Sequence, residues 1–305
     1  MIHVKYIGGN IAGVTQKWGG TSATNYALLK AMEGHPEFVF EARFRKDFPG
    51  LLEIRRFLEG ADVTHVDDTL IIAWMFNGGI SAPDIIGPIT RSPLKDYQGW
   101  HSPYTADWFY RARVIRLNYA EERHDTHLVR LIRHGVDTDR LRPLEGAARK
   151  YVLWAGGVNR PAKNYPLMEE IMQGFELADG YEFRVLTDYP VQDYWEILDE
   201  TAVLVNTSRC ESFCCAAFEA MAKGVPVVWR QGLQGGVHEA AGVRVGYEAG
   251  EYRAAILEAL SGENYRNLGR AAREYCETNA SLAVMGEDLV AVYREALEKK
   301  RAEAA

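Results

Sequence analysis

The sequence predicts an α/β protein made of two Rossmann-like domains with mostly parallel sheets and a helical C-terminal stretch. Three observations predict it. Short apolar runs of strand length alternate with segments of helix-forming composition along most of the chain, the pattern of a parallel sheet covered on both faces. The chain has 305 residues, more than one ordinary core organises, and suits two domains of roughly 150 residues. A glycine pair follows a strand-like run near the start of each half, Gly8-Gly9 and Gly156-Gly157.

Taken in order, Val4 to Ile7 reads as the first strand. A second glycine pair, Gly19-Gly20, precedes Thr21-Ser22 and a helical pattern over Asn25 to Met32. The loop does not spell G-x-G-x-x-G, so a nicotinamide fingerprint is absent. Strands are expected at 38–40, 63–66, 85–89, 113–117 and 128–132, with helices at about 50–58 and 105–111. Leu70 to Phe76 fits a helix or a buried strand. In the second half, strands are expected at 151–155, 183–186, 202–205, 227–229 and 243–245. Helices are expected at about 164–177, 191–200, 212–223, 234–240 and 251–261. The stretch 264–303 is nearly all helix-forming and ends in the charged run Glu298 to Arg301. The expected division is residues 1–140, a short first domain, and 141–305, whose final helix can pack back on the first. A polar link lies near 138–149.

Composition narrows the function classes. No run of about 18 apolar residues occurs, which argues against a membrane span. The N-terminus, MIHVKYIGG, carries no basic-then-apolar leader. The four cysteines are Cys210, Cys214, Cys215 and Cys276, without a Cys-x-x-Cys pair. That spacing argues against a disulfide framework and against a zinc site, and fits a reducing cytoplasm. The expected location is the cytoplasm, free or peripheral at the inner face of the membrane. Residues 1–140 hold 17 basic and 17 acidic side chains, and 141–305 hold 18 and 25, so the net charge of −7 sits entirely in the second half. Neither half is basic, which disfavours a nucleic acid partner while leaving room for a local patch. Phe44, Phe48, Leu51, Leu52, Ile54, Phe57 and Leu58, interleaved with Arg43, Arg45, Lys46, Arg55 and Arg56, would suit a weak membrane-surface contact. Four acids in 41–59 dilute that signal and favour an ordinary amphipathic helix.

The second half carries the residues with chemistry. In 203–230, Val203 to Val205 reads as a buried strand that Asn206, Thr207 and Ser208 break. Glu211 and Glu219 follow with seven residues between them. Ser212 is the expected N-cap of the helix and Gly224 its C-terminal stop. On a continuous helix, eight residues at a rise of about 1.5 Å each place Glu219 roughly 12 Å beyond Glu211. Unpaired amides at the helix start attract anions. A nucleotide sugar, with hydroxyls at both ends and a diphosphate between, satisfies that spacing; two solvated or structural glutamates are the plain alternative. The turn from Gly156 and Gly157 through Arg160, Lys163 and Asn164 suits a diphosphate by charge pairing, or is a tight turn with solvated cations. His101 is a cleft candidate in the first half, against an ordinary structural or surface histidine. Asp67-Asp68 fits a carboxylate site or a solvated turn.

Together these residues resemble the retaining glycosyltransferases of the GT-B fold, specifically glycosyltransferase family 4. Glu211-x7-Glu219, continued through Gly224-Val225-Pro226-Val227-Val228, looks like that family's E-x7-E signature and following strand. His134-Gly135-Val136-Asp137 with Arg142-Pro143 resembles the segment that opens its second domain. Gly157 through Lys163-Asn164 looks like its phosphate loop, and Gly235-Gly236-x-x-Glu239 like its later glycine pair and glutamate. Val158 stands where the family has arginine, His134 where it has asparagine, and Ser212 and Cys214 where it has glycine.

The resemblance implies two Rossmann-like domains facing across a cleft. It implies transfer of a hexose from a UDP- or GDP-linked donor to a saccharide, lipid-linked or small-molecule acceptor hydroxyl, with retention and without a metal or other cofactor. Lys163 would pair with the diphosphate, with Arg160 reaching it from beside. Glu211 would lie near the sugar and Glu219 would bind the ribose hydroxyls. Amides over Ser212, Phe213 and Cys214 would cap the sugar or distal phosphate. Gly19 and Gly20, or Gly8 and Gly9, would let the first domain approach the phosphates. The alternatives are a catalytically silent relative that binds a nucleotide or a partner, and a nucleotide-sugar epimerase or phosphorylase.

Overall fold

The computed structural model describes residues 1–9, 20–67, 69–81, 83–86, 114–117, 129–209, 211, 213–231 and 242–305. The chain forms two compact units. The first comprises Met1–Ile11, Thr21–Gly135 and Ala283–Ala305; the second is built on Val136–Leu282. The junction thus falls at Gly135–Val136 rather than after 140, and the last helix belongs to the first unit.

The first unit holds a parallel sheet of β1 (Ile2–Gly8), β2 (Phe38–Phe44), β3 (Val63–Val66), β4 (Ile85–Ile86), β5 (Val114–Leu117) and β6 (Val129–Leu131), in the order β2-β1-β3-β4-β5-β6. Its described helices are α1 (Gly20–Met32), α2 (Leu51–Leu58), α3 (Thr69–Asn77) and α9 (Leu282–Ala304). The ambiguous run at 70–76 is therefore a helix. Ile7 and Val66 pack with Ile54 and Phe57 of α2 and Ile71, Ile72 and Met75 of α3. That burial settles α2 as an amphipathic helix, with Leu52 left exposed. On the other face Tyr293 of α9 packs on Phe38 and Phe40. A Cβ on Gly286 would stand 3.1 Å from the Ala31 carbonyl oxygen, so the glycine permits α9 to approach α1 closely.

The second unit holds β7 (Tyr151–Ala155), β8 (Glu182–Leu186), β9 (Thr201–Asn206), β10 (Val227–Arg230) and β11 (Gly242–Val245), all parallel, in the order β11-β10-β9-β7-β8. Its described helices are α4 (Tyr165–Met172), α5 (Val191–Ile197), α6 (Cys215–Ala222), α7 (Ala249–Leu260) and α8 (Gly262–Asn279). The central strands are nearly continuous apolar runs because both faces are covered. Leu153, Leu204 and Val227 meet α5, α6 and α8 on one face. Val152, Val203 and Val228 meet α4 and α7 on the other. Helix α4 is shorter than the expected 164–177, since Gly174 turns away with φ +66°.

Both sheets share one logic of order. The chain steps from its first strand to one side, then crosses back to the other. The reversal falls between β1 and β3 in the first sheet and between β7 and β9 in the second. In open α/β sheets, ligands bind outside the carboxyl ends of the strands at such a point. Among the described residues no helix is long and apolar enough to cross a membrane.

Candidate functional site

At the reversal point of the second sheet, β7 ends in a turn built by its glycines. A Cβ on Gly157 would stand 3.0 Å from Arg160 Cδ, and one on Gly156 would stand 3.2 Å from the Trp154 ring. The turn folds back through Arg160 N–H to the Gly157 carbonyl (3.0 Å) and enters a 3-10 turn, Pro161–Lys163. Asn164 closes it in the left-handed region, φ +53°, a conformation asparagine tolerates, and α4 follows.

β9 ends beside it in Asn206-Thr207-Ser208, all buried. Each of these polar side chains has a task. Asn206 Oδ1 accepts from the Ser208 amide (2.8 Å), and its Nδ2 donates to Cys214 Sγ (2.9 Å). Thr207 Oγ1 accepts from the Trp154 indole and donates to the Lys163 carbonyl, both at 2.9 Å. The Arg209 amide donates to the Ala162 carbonyl (2.8 Å). Two loops from adjacent strands are thereby pinned to one another.

On this scaffold Lys163 and Glu211 meet. Lys163 Nζ lies 2.5 Å from Glu211 Oε1, and the Ser208 hydroxyl donates to the same oxygen at 2.7 Å. Both side chains are partly accessible, 19% for Lys163 and 13% for Glu211. Burial works against the Lys163 ammonium, but the charge of Glu211 and its hydrogen bond act the other way, and its pKa is raised. Burial pushes the Cys214 thiol up to about 12, with Glu211 adding to the effect. Cys214 is therefore an uncharged thiol at neutral pH, and Glu211 is the group paired with the ammonium.

Glu219 occupies a different setting. It lies on α6, whose N-cap is Cys214 and not Ser212, and it is 8% exposed. Burial raises its carboxyl to about 7, and the Trp195 indole beside it works in the opposite direction. Tyr189 is raised by burial and then by Glu219, which places its ring near that carboxylate. Helix α6 ends as expected at Gly224, φ +67°. There Gly224 N–H bonds the Met221 carbonyl (2.8 Å) and Val225 N–H the Ala220 carbonyl (2.9 Å), a Schellman closure.

A further expectation is corrected. Glu211 precedes α6, which begins at Cys215, so the helical rise from Glu211 to Glu219 does not apply. Phe213 stacks on Phe218 at 4.2 Å between centroids and serves the core edge. Val158 packs against the apolar cluster of Trp154 and Tyr165, so no cation occupies that position. Arg160 is exposed beside Gly157, where its charge opposes that of Lys163. His134 is buried in the first unit, 3.1 Å from Thr24 Oγ1, while Val136 bridges to Ser281 in the second. Gly19, His101, Asp68, Ser212, Gly235, Gly236 and Glu239 lie outside the described residues, and of Gly20 only its place at the start of α1 is described. Sequence reasoning missed the roles of Trp154, Thr207 and Ser208. Asn-Thr-Ser was legible only as a strand end, although a polar triplet after a buried strand needs partners.

Known structures share this architecture. Sucrose-phosphate synthase from Thermosynechococcus elongatus superposes with a TM-score of 0.68 at 14% identity, over 97% of this chain and 99% of that one. HepE from Anabaena, solved with UDP and glucose, gives 0.68 at 13% identity over 95% and 98%. WaaG, a glycosyltransferase involved in lipopolysaccharide biosynthesis, gives 0.61 at 12% identity over 94% and 98%. The chain has the GT-B fold. Its neighbours in fold are GT-B glycosyltransferases. No protein-family model and no curated protein sequence matches it.

Proposed function

We propose that the protein is a glycosyltransferase that transfers a hexose from a nucleoside-diphosphate sugar, retaining and metal-independent, in the manner of glycosyltransferase family 4. The observation that carries this reading is the meeting of Lys163 and Glu211 on two pinned loops at the reversal point of the second sheet. A cation on a glycine turn at the carboxyl edge of a parallel sheet suits the diphosphate that forms as the sugar–phosphate bond breaks. The Lys163 ammonium has three donors and directs one at Glu211, leaving two for phosphate oxygens. Arg160 adds a second, exposed cation.

Glu219 supplies a recessed carboxylate for the ribose diol, and hydroxyls that donate to it favour its ionised form. Glu211 lies toward the sugar, where Ser208 and Lys163 hold its orientation. In this reading the acceptor hydroxyl attacks from the face the leaving group departs, and the diphosphate oxygen takes its proton. No side chain is needed as base. The HepE complex with UDP and glucose supports testing UDP-glucose first.

The test is release of sugar and nucleotide from a panel of UDP-, GDP- and ADP-hexoses, with and without saccharide acceptors. Acceptor-dependent transfer with retained anomeric configuration, undiminished by a chelator, is expected. Nucleotide binding without turnover on any donor would instead make the chain a silent relative.

A further inference from the structure

We propose that β2 forms a two-fold symmetric edge-to-edge interface with β2 of a second copy of this chain. β2 is the outer strand of the first sheet, seven residues long, and among the described residues only β1 pairs with it. The direction of its backbone groups follows from one hydrogen bond. Ile2 N–H donates to the Glu37 carbonyl at 2.9 Å, so Glu37, Val39, Glu41 and Arg43 turn their backbone groups to β1. Phe38, Phe40, Ala42 and Phe44 turn theirs to the open edge. An unpaired edge of this length is a template for a further strand.

Charge then selects the partner and the register. In an antiparallel pair of identical strands, a two-fold axis centred on Glu41 or Arg43 sets like charges opposite each other. Centred on Val39, it opposes Glu41 to Glu37; centred on Phe40, it opposes Glu41 to Val39 and Arg43 to Glu37, which precedes β2 and whose carboxylate Arg294 already holds. Centred on Ala42, it sets Glu41 of each strand against Arg43 of the other, twice. That same register makes Ala42 a hydrogen-bonded pair, which its outward backbone groups require. It also makes Glu41–Arg43 a non-hydrogen-bonded pair, where Cα atoms approach to about 4.5 Å and side chains meet best.

Glu41 and Arg43 are both exposed. Phe44 N–H is already taken by Asp47 Oδ2 at 2.8 Å, so the ladder comprises the reciprocal Ala42 bonds and those from Phe40 N–H to the Phe44 carbonyl. Apolar contact follows the same register. Phe44 of the second copy lies opposite Phe40, on the face where Tyr26, Leu29, Met32, Phe38 and Phe40 line a groove of about 460 Å³.

Sedimentation equilibrium of the full chain tests this, with circular dichroism melting to verify folding. The wild type is expected to dimerise, and E41R and R43E each to weaken dimerisation by about 30-fold or more, since each replaces two attractive pairs by two repulsive ones. The swap E41R/R43E restores the pairs in reverse and is expected to restore the dimer. A wild type that stays monomeric into the high micromolar range, a dimer indifferent to either single change, or a swap that fails to restore it would overturn the proposal.

Discussion

The two sheets reverse their strand order in the same way, yet the carboxyl ends at their reversal points are furnished differently. In the first unit, between β1 and β3, the described polar groups are consumed by one another. Tyr6 donates to Asn25 Oδ1 at 2.6 Å and lies 3.2 Å from Asp67 Oδ2. His65 Nε2–H donates to Asp67 Oδ1 at 2.7 Å, and its Nδ1 lies 3.0 Å from the Tyr293 hydroxyl on α9. The His65 and Asp67 side chains are 0% and 2% exposed. In the second unit the corresponding position carries Lys163 and Glu211, each with a face toward solvent. Topology offers a site in both places. Burial closes one set of charges inside the unit and leaves the other partly open to solvent.

That contrast can be broken from either side. The largest effect is expected from Asp67→Ala, which strips His65 and Tyr6 of a buried acceptor. Urea unfolding should show a loss of about 3 kcal/mol. An unchanged midpoint would mean the network contributes nothing to stability. Lys163→Ala should do the reverse, lowering turnover by about 100-fold. Ser208 still donates to Glu211 in this variant, so its melting temperature should fall by less than that of Asp67→Ala.

Glu219→Gln should weaken donor binding by about tenfold, the loss of a charge-assisted acceptor, as read by calorimetry. The same variant sharpens a pH dependence. The Glu219 carboxyl is raised to about 7 in the free protein, and bound ribose hydroxyls favour its ionised form. Donor affinity should therefore rise with pH through about 7 and level off above it, and the glutamine variant should lose that slope. Stability carries the opposite sign. The folded state holds a proton on Glu219 that the unfolded chain has lost, so this group's contribution is fully present below about 4.5. It declines as pH rises to about 7 and is constant beyond. The smallest expected effect is Trp154→Phe, which removes the indole donor to Thr207 and should cost about 1 kcal/mol of stability.

Much of this was legible in the sequence, for physical reasons. Strands such as 151–155 and 202–205 stand out because burial on both faces makes them continuous apolar runs. Gly224 announced a helix end because it takes a left-handed conformation there. The start of α6 was not legible: Phe213 and Cys214 have helix-compatible composition, and only their packing holds them outside the first turn. Nor was the Lys163–Glu211 pair. Forty-eight residues separate its members, and the contact depends on β7 and β9 lying side by side. Asp67 read equally well as a solvated turn, because a local pattern cannot show that Tyr6 and His65 close over it.

The central claim is that the carboxyl edge of the second sheet, around Lys163 and Glu219, receives a nucleoside diphosphate. Calorimetric titration of wild type and Lys163→Ala with UDP, GDP and ADP tests it most directly. Saturable binding of one of the three to the wild type is expected, weakened about tenfold or more by the substitution. Equal affinity in both proteins, or no binding of any of the three to the wild type, would contradict it.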